Sequence, residues 1–212
     1  MRISPDLSLE TPLWQSGKFF LAGLDEAGRG AWAGPVAAAA VILPPGEELL
    51  KRLRGVRDSK QMTPRQRNLW AGEIRCVAQA WGVGFAWTEE IDALGILPAT
   101  RLAMQRALQE LHQPAQHLLI DAVRLPEVRL PQTMLIKGDV RCLSIAAASV
   151  LAKTARDGLM QELDREYPGY GFARHKGYGT AAHHQALELL GPTAIHRRSF
   201  SPLKNMAIQD YP

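Results

Sequence analysis

Three short apolar segments of this chain are each followed by acidic residues, and this repeated pattern constrains the fold more than any other feature. The segments cover residues 19–24, 118–120 and 134–136. The acids at their ends or just beyond are Asp25, Glu26, Asp121 and Asp139. Short apolar runs bounded by turn residues are typical of buried strands, and strand ends in an open α/β sheet converge on one crevice. We therefore expect the four carboxylates to lie close together at one edge of a sheet.

The segments between these runs predict two more strands and several helices. Residues 36–43 form an apolar run closed by two prolines, and residues 81–87 carry large apolar side chains at every second position. A capping-box signature at Thr63 begins a helix that reaches about Ala80. Further helices are predicted over residues 98–112, 143–167 and 180–190. Hairpin-forming strands followed by strands that alternate with helices indicate a mixed α/β sheet with helices on its faces.

Length and composition favour one soluble domain. The chain has 212 residues, of which 46% are hydrophobic, enough to bury a full core. No apolar run approaches the ~18 residues of a membrane span, and residues 1–10 lack the apolar stretch of a signal peptide, so a cytoplasmic location is expected. We expect a single domain over residues 1–212, with a core at about 19–190 and a partly helical extension at about 191–212.

The charge balance and the cysteines narrow the function classes. A net charge of +4 and a pI near 9.3 are compatible with a polyanionic partner. Cys76 and Cys142 lie in two separate apolar stretches, which favours buried free thiols over a disulfide or a zinc site.

The four acids are best explained by a divalent metal site. Carboxylates gathered in one crevice repel one another unless protons or cations neutralise them. All-oxygen ligation suits Mg²⁺ or Mn²⁺ rather than zinc, and two such ions ~3.5–4 Å apart can clamp a phosphodiester during attack by water. A single Asp after a strand is also typical of a turn or a helix N-cap, and this alternative applies most strongly to Asp139.

Glycines and cations lie where they could contact nucleic acid. In Gly28-Arg29-Gly30 the backbone can approach a sugar-phosphate closely while Arg29 meets a phosphate, although such a sequence is also typical of an ordinary tight turn. The other candidate clusters are Asp58-Ser59-Lys60, Arg174-His175-Lys176-Gly177-Tyr178-Gly179 and His196-Arg197-Arg198. They predict a surface that follows a phosphate backbone, with Ser59 and Lys60 as substrate contacts and Tyr178 as a stacking platform. A solvated loop is the alternative for the cluster at residues 174–179, and each of the other two clusters is ambiguous by itself.

Other polar residues are interpreted as structural. Asp157 lies four residues after Lys153 and next to Arg156 on the long predicted helix, which favours an ion pair over a fifth metal ligand. Adjacent helical residues point about 100° apart, so His183 and His184 are interpreted as surface residues rather than as a metal pair.

Seven sequence blocks resemble one known family. They are Leu24-Asp25-Glu26-Ala27-Gly28-Arg29-Gly30, Asp58-Ser59-Lys60, Leu119-Ile120-Asp121, Lys137-Gly138-Asp139, residues 144–153, His175-Lys176-Gly177-Tyr178 and residues 196–200. In this order, over about residues 19–204, they closely resemble the bacterial ribonuclease HII family. The first and fifth blocks are too long for a chance match.

The resemblance implies a ribonuclease-H-like α/β fold, with a central five-stranded mixed sheet flanked by helices and a C-terminal helical extension. It also implies endonucleolytic cleavage of RNA in RNA–DNA hybrids, including cleavage at a single ribonucleotide embedded in duplex DNA, with Mg²⁺ or Mn²⁺. The residues that match the family's acidic quartet are Asp25, Glu26, Asp121 and Asp139. Those that match its segment sensing the ribose 2′-hydroxyl are Gly28, Arg29 and Gly30. Tyr178 matches the tyrosine that stacks on the sugar at the RNA-to-DNA junction.

Two positions depart from the family pattern. Ala31 stands where proline is common after the glycine motif, and Ala122 stands where glycine is common after Asp121. Both residues are small, so altered local rigidity is expected rather than lost activity.

These features predict a two-metal hydrolysis in which the quartet holds the ions, water attacks on the 5′ side of a ribonucleotide, and 3′-hydroxyl and 5′-phosphate ends result. The expected partners are RNA–DNA hybrids and ribonucleotide-containing duplex DNA. Two alternatives stay open, a DNA-directed nuclease of the same fold and a non-catalytic hybrid-binding module. No long apolar helix face demands a dimer, so a monomer is expected.

Overall fold

The fold is built around one five-stranded mixed sheet, seen in a computed structural model that describes residues 4–206. The strands are β1 (Leu21–Ala27), β2 (Val36–Ile42), β3 (Ala80–Ala86), β4 (His117–Asp121) and β5 (Gln132–Leu135). Their order across the sheet is β3-β2-β1-β4-β5. The first three strands form an antiparallel meander, whereas β4 pairs parallel to β1 and β5 parallel to β4. This arrangement confirms the predicted mixed sheet and places β1 at its centre.

The helices cover both faces of the sheet. They are α1 (Glu10–Gln15), α2 (Glu48–Arg52), α3 (Pro64–Val77), α4 (Thr88–Leu94), α5 (Ile96–Gln109), α6 (Leu143–Glu166), α7 (Phe172–His175) and α8 (Ala181–Leu190). The capping box at Thr63 is present as predicted, with Gln66 as its partner. Helix α5 begins two residues before the predicted start at Pro98, which is tolerated because a proline in the first turn removes no intrahelical hydrogen bond.

Side chains on alternate positions of β1 enter two separate cores. Leu21 packs with α6, whereas Ala22 and Leu24 pack with α5. At Gly23 an added Cβ would lie 2.2 Å from the carbonyl carbon of Ser144, so only glycine allows α6 to approach the sheet this closely. Asp25 follows on the same face of β1 as Leu21 and Gly23, and the sheet therefore turns it toward α6.

The N-terminal helix anchors the start of α6 through a buried carboxylate. Oε1 of Glu10 accepts hydrogen bonds from the backbone N–H and the hydroxyl of Ser144, both at 2.9 Å, and from Sγ of Cys142 at 3.2 Å. Burial raises the pKa of Glu10, while these donors oppose the rise. The carboxylate satisfies donors at the helix N-terminus that would otherwise lack a partner. Since α6 carries several residues of the site described below, α1 contributes to its placement.

The two cysteines, the lengths of the helices and the C-terminal segment bear on three further expectations. Cys142 is buried as predicted, but the prediction for Cys76 is wrong: it is exposed, because it lies on the solvent side of α3. Within residues 4–206, no helix is long and apolar enough to cross a membrane. The C-terminal segment from residue 191 contains a short 3₁₀ helix, Leu203–Asn205, and residues 207–212 lie outside the described part of the chain.

Candidate active site

The sheet brings the acids of β1 and β4 next to each other. Asp25 and Glu26 lie inside β1 rather than beyond its end, because pairing with β2 continues through Ala27. Asp121 is the last residue of β4, one position after the Leu24–Ile120 pair that joins the two strands. The two neighbouring strands therefore deliver their acids side by side.

Asp139 reaches the same region from a 3₁₀ helix, Gly138–Val140, that follows β5. The backbone N–H of Gly138 donates a hydrogen bond of 2.7 Å to Oδ1 of Asp121. This contact ties the segment that carries Asp139 to the end of β4. Asp139 is only 6% exposed, so little of the residue reaches solvent.

Neighbouring carboxylates raise the pKa values of Asp25 and Asp139. Burial raises the pKa of Asp25 well above its usual range, and the charges of Glu26 and Asp121 raise it further. Burial also raises the pKa of Asp139, with additional contributions from Asp58 and Asp121. Such mutual effects require short separations between negative charges. The quartet is therefore a region of concentrated negative charge in which a cation would be strongly stabilised.

Two cationic side chains already face this charge. Nη1 of Arg29 lies 3.3 Å from Oε1 of Glu26, and this pairing opposes the burial that raises the pKa of Glu26. Burial lowers the pKa of Lys60, but the nearby acids, Asp25 first among them, raise it by more. Lys60 and Arg29 thus lie close to the acids, where they could also meet a phosphate.

The carboxylate oxygens of the four acids suit a hard divalent cation, although they are not already arranged in a coordination geometry. Among residues 4–206, no three His, Cys, Asp or Glu side chains form a group that could hold a metal ion as they stand. The acids have other partners, since Oδ1 of Asp25 accepts from the backbone N–H of Glu26 and Oδ1 of Asp121 accepts from Gly138. Oε2 of Glu26 is buried without a hydrogen-bond partner. This unsatisfied oxygen and the all-carboxylate chemistry are those expected for Mg²⁺ or Mn²⁺ ligation.

A groove of about 760 Å³ opens beside Glu26 and brings together all six residues predicted to contact substrate. These are Gly28, Arg29, Gly30, Ser59, Lys60 and Tyr178. Of the acidic quartet only Glu26 lines the groove, and Asp25, Asp121 and Asp139 lie outside its lining. Arg174, His175 and Lys176 also line the groove.

The loop between β1 and β2, residues 28–35, is called here the glycine turn. It is fastened to the segment that carries Tyr178: Ala31 and Tyr178 form a β-bridge, and the carbonyl of Gly177 accepts from the backbone N–H of Trp32 at 2.8 Å. Gly28 has a φ of +94°, a conformation that disfavours any other residue. The two elements predicted to recognise a ribonucleotide are thus in direct contact.

The interpretation of His196-Arg197-Arg198 as a basic surface cluster is wrong for its first two residues. His196 and Arg197 are buried, and only Arg198 is exposed. The guanidinium of Arg197 donates to the carbonyl of Gly34 through Nε and Nη2, and to the carbonyl of Arg29 through Nη1 at 2.8 Å. Arg197 therefore holds the glycine turn from inside the protein.

The interpretation of His183 as a surface residue is also wrong, whereas His184 is exposed as predicted. The backbone N–H of Thr193 donates to Nδ1 of His196, so the proton of that neutral ring is on Nε2. Nε2 of His196 lies 3.1 Å from Nε2 of His183, and Nδ1 of His183 lies 3.1 Å from the carbonyl of Tyr178. The difference arises because His183 lies on the buried, apolar side of α8, where its ring contacts the backbone carbonyl of Tyr178.

Asp157 forms ion pairs, as predicted, and is buried rather than exposed. It forms ion pairs with Lys153 at 2.7 Å and with Arg67 at 3.0 Å. Arg67 also donates to the carbonyl of Ser59 at 3.1 Å. The hydroxyls of Ser59 and Ser149 are 2.9 Å apart. These contacts link α6 to the segment that places Ser59 and Lys60, a connection between distant residues that no local pattern indicates.

One of the two departures from the family pattern has a visible structural cost. Ala122 has a φ of +52°, in the left-handed region that favours glycine. Its backbone N–H still donates to the carbonyl of Leu135 at 3.0 Å, which keeps the end of β4 attached to β5. Ala122 therefore adds backbone strain next to Asp121 without removing the contact that holds the strand end.

Comparison with known proteins identifies the family. A model of the ribonuclease HII family matches residues 22–203, a span that includes every candidate site residue. The chain belongs to the ribonuclease HII family. A ribonuclease HII from Roseiflexus castenholzii is 56% identical over 206 residues, which cover 96% of this chain and 91% of the relative.

Solved structures agree with this assignment. The ribonuclease H2 of Pyrococcus horikoshii has a TM-score of 0.72 and 26% identity, covering 87% of this chain and 95% of that one. Bst-RNase HIII, solved in complex with Mn²⁺, shares the fold with a TM-score of 0.64 and 18% identity, covering 88% of this chain and 68% of that one. As a ribonuclease HII family member, the protein is a metal-dependent ribonuclease H, a hydrolase that cleaves RNA in RNA–DNA hybrids.

Proposed function

We propose that this ribonuclease H also nicks duplex DNA on the 5′ side of a single embedded ribonucleotide, leaving 3′-hydroxyl and 5′-phosphate ends. The observation that carries this proposal is the β-bridge between Ala31 and Tyr178, which joins the glycine turn to an aromatic ring in one groove beside Glu26. Backbone groups of a glycine turn can bond a 2′-hydroxyl without side-chain bulk. A ring at a fixed distance from that point can stack on the next sugar, so one ribonucleotide is enough for recognition.

In this proposal Asp25, Glu26, Asp121 and Asp139 hold two divalent ions. Bound there, such ions would activate a water molecule and stabilise the leaving 3′-oxygen. The Mn²⁺ in Bst-RNase HIII supports this choice of metal. The protein's own residues supply position and charge, and no protein nucleophile is required. In this proposal the protein acts as a monomer with a single catalytic domain.

The cations around the groove act on the phosphate backbone. Arg29, Lys60 and Lys153 line the groove, where Arg29 pairs with Glu26 and Nζ of Lys153 lies 5.4 Å from the centre of the Tyr178 ring. Phosphate contacts of this kind fix the register of a duplex but carry no sequence information. The site should therefore select a ribose at a defined position and accept any base.

The test is a cleavage assay on three matched duplexes, one of DNA alone, one with a single ribonucleotide and one with an RNA strand. We expect Mg²⁺-dependent nicking of the second and cleavage of the third, with no cleavage in chelator, and mass spectrometry should identify the product ends. Cleavage of the all-DNA duplex would indicate a DNA-directed nuclease instead. Binding without any cut would indicate a hybrid-binding module.

Replacing Tyr178 by alanine should reduce kcat/KM on the single-ribonucleotide duplex about tenfold more than on a long hybrid. The reason is that stacking on an aromatic ring contributes about 1–3 kcal/mol, and a long hybrid offers many alternative registers. Tyr178→Phe keeps the ring and should retain most of the preference. Equal losses on the two substrates in the alanine variant would remove the proposed role of Tyr178.

A further inference from the structure

One buried side chain touches both elements of the proposed recognition site. The guanidinium of Arg156, on α6, donates through Nε to the carbonyl of Pro35 at 2.8 Å and through Nη2 to the carbonyl of Ala33 at 3.0 Å, both in the glycine turn. Through Nη1 it donates to the carbonyl of Lys176 at 2.9 Å, two residues before Tyr178. Its Cζ lies 5.4 Å from the centre of the Tyr178 ring.

The space below Gly28 is filled by the same guanidinium. A Cβ added to Gly28 would lie 1.9 Å from Nε of Arg156 and 2.5 Å from its Cδ. Because real Cβ atoms essentially never come so close, Arg156 can occupy this position only when residue 28 is glycine. The start of the glycine turn therefore rests directly on this side chain, while the later part of the turn is bonded to it.

Placing arginine at position 156 carries a large desolvation cost, which is unusual for a purely structural role. It is fully buried, and burial lowers its pKa. The adjacent Asp157 bonds Lys153 and Arg67, and no carboxylate in residues 4–206 lies within ion-pair distance of Arg156. An apolar side chain of similar volume would fill the site at lower desolvation cost. What an apolar residue lacks is the planar fork of donors, which fixes several carbonyls in set directions.

We propose that Arg156 is a positioning residue that couples the glycine turn to Tyr178 and thereby sets the enzyme's preference for a single ribonucleotide. This inference rests on the proposed function above. Arg156 reaches no substrate atom, and it acts by holding the 2′-hydroxyl sensor and the stacking ring at one separation. Weakening the hydrogen bonds of Arg156 should therefore reduce cleavage of substrates with only one correctly placed ribose much more than cleavage of long hybrids.

The test is Arg156→Lys, which keeps the charge but cannot bond three carbonyls at fixed angles. The ratio of kcat/KM for the single-ribonucleotide duplex to that for a long hybrid should fall about tenfold, the effect of losing one charge-assisted hydrogen bond. In a Tyr178→Ala background the same substitution should leave the ratio unchanged, because the coupled partner is already absent. Arg106→Lys is the matched control, since Arg106 also donates to a backbone carbonyl, that of Phe85, but lies away from the groove.

Two outcomes would overturn the inference: an unchanged ratio in Arg156→Lys, or a loss of ratio that is the same with and without Tyr178. If the wild-type enzyme fails to nick the single-ribonucleotide duplex, the proposed function fails, and the coupling is then decided by hydrogen exchange. If Arg156→Lys does not fold, Arg156→Met takes its place. The backbone amides of Trp32 and Tyr178 should exchange with one shared opening free energy in the wild type and with separate ones in the variant. A shared opening free energy in both proteins would contradict the coupling through Arg156, because the direct contact between the two segments would then be sufficient.

Discussion

Replacing Asp25 by asparagine should reduce hydrolysis of an RNA–DNA hybrid in Mg²⁺ by about a thousandfold or more. A metal ligand supports several kcal/mol of transition-state stabilisation, and each 1.4 kcal/mol or so corresponds to about a tenfold change in rate. The fold should survive the change, because Asp25 is a buried carboxylate whose pKa is raised by burial and by Glu26 and Asp121. An uncharged amide of the same shape removes repulsion, so the melting temperature should be equal or higher.

The measurement pairs a single-turnover cleavage assay with thermal unfolding of the same preparations. Glu48→Gln, a change at an exposed carboxylate on α2, serves as the control. Its cleavage rate and its melting temperature should both stay near those of the wild type. Near-full activity of the Asp25 variant in Mg²⁺ would refute the assignment of this acid. Loss of activity together with loss of folding would mean that Asp25 is structural.

Acid should destabilise the protein through the buried histidines. Burial lowers the pKa of His183 to about 4, and burial together with the charge of His183 lowers the pKa of His196 to about 3. In the unfolded chain both titrate near their usual value of about 6.5. The unfolded state therefore takes up protons first, and the stabilisation that is complete above about pH 6.5 is lost as the pH falls toward the folded-state pKa values. Between about pH 8 and about pH 5 the expected loss is about 2 kcal/mol for each histidine.

The carboxylates with raised pKa values act in the opposite direction at low pH, so the wild type alone cannot isolate this effect. The difference between the wild type and a His183→Gln/His196→Gln double variant cancels their contribution. Urea unfolding should show a steeper loss of free energy on acidification in the wild type, by about 4 kcal/mol over the same interval. His184→Gln, on the exposed side of the same helix, should leave the pH dependence almost unchanged. Parallel pH profiles for the wild type and the double variant would rule out the histidine account.

The sheet and the convergence of the acids could be predicted because both follow from short-range patterns. Apolar runs that end in acids indicate strands, and the topology of such sheets brings their ends together. Asp139 was the most ambiguous of the four from sequence, and its position depends on the 3₁₀ helix after β5 rather than on a strand end. Helix α4 has seven residues and was not predicted, because so short a helix gives no sustained apolar period.

The buried arginines that hold the glycine turn could not be predicted, because their contacts connect residues far apart in the sequence. Arg197 bonds Gly34, 163 positions away, and Arg156 bonds Ala33, 123 positions away. Backbone carbonyls serve as acceptors in both cases, and a carbonyl leaves no signal in the sequence. The burial of His183 did have a signal, since it shares a helix face with Ala186 and Leu187, three and four residues on.

The central claim is that acids from three separate segments hold divalent cations beside the groove, and titration of Mn²⁺ followed by electron paramagnetic resonance tests it directly. The wild type should bind Mn²⁺ saturably, and Asp25→Asn and Asp121→Asn should each weaken that binding by about tenfold or more, as expected when a charged ligand is removed from a small site. Glu48→Gln should bind like the wild type. Equal Mn²⁺ affinity in all four proteins would contradict the claim.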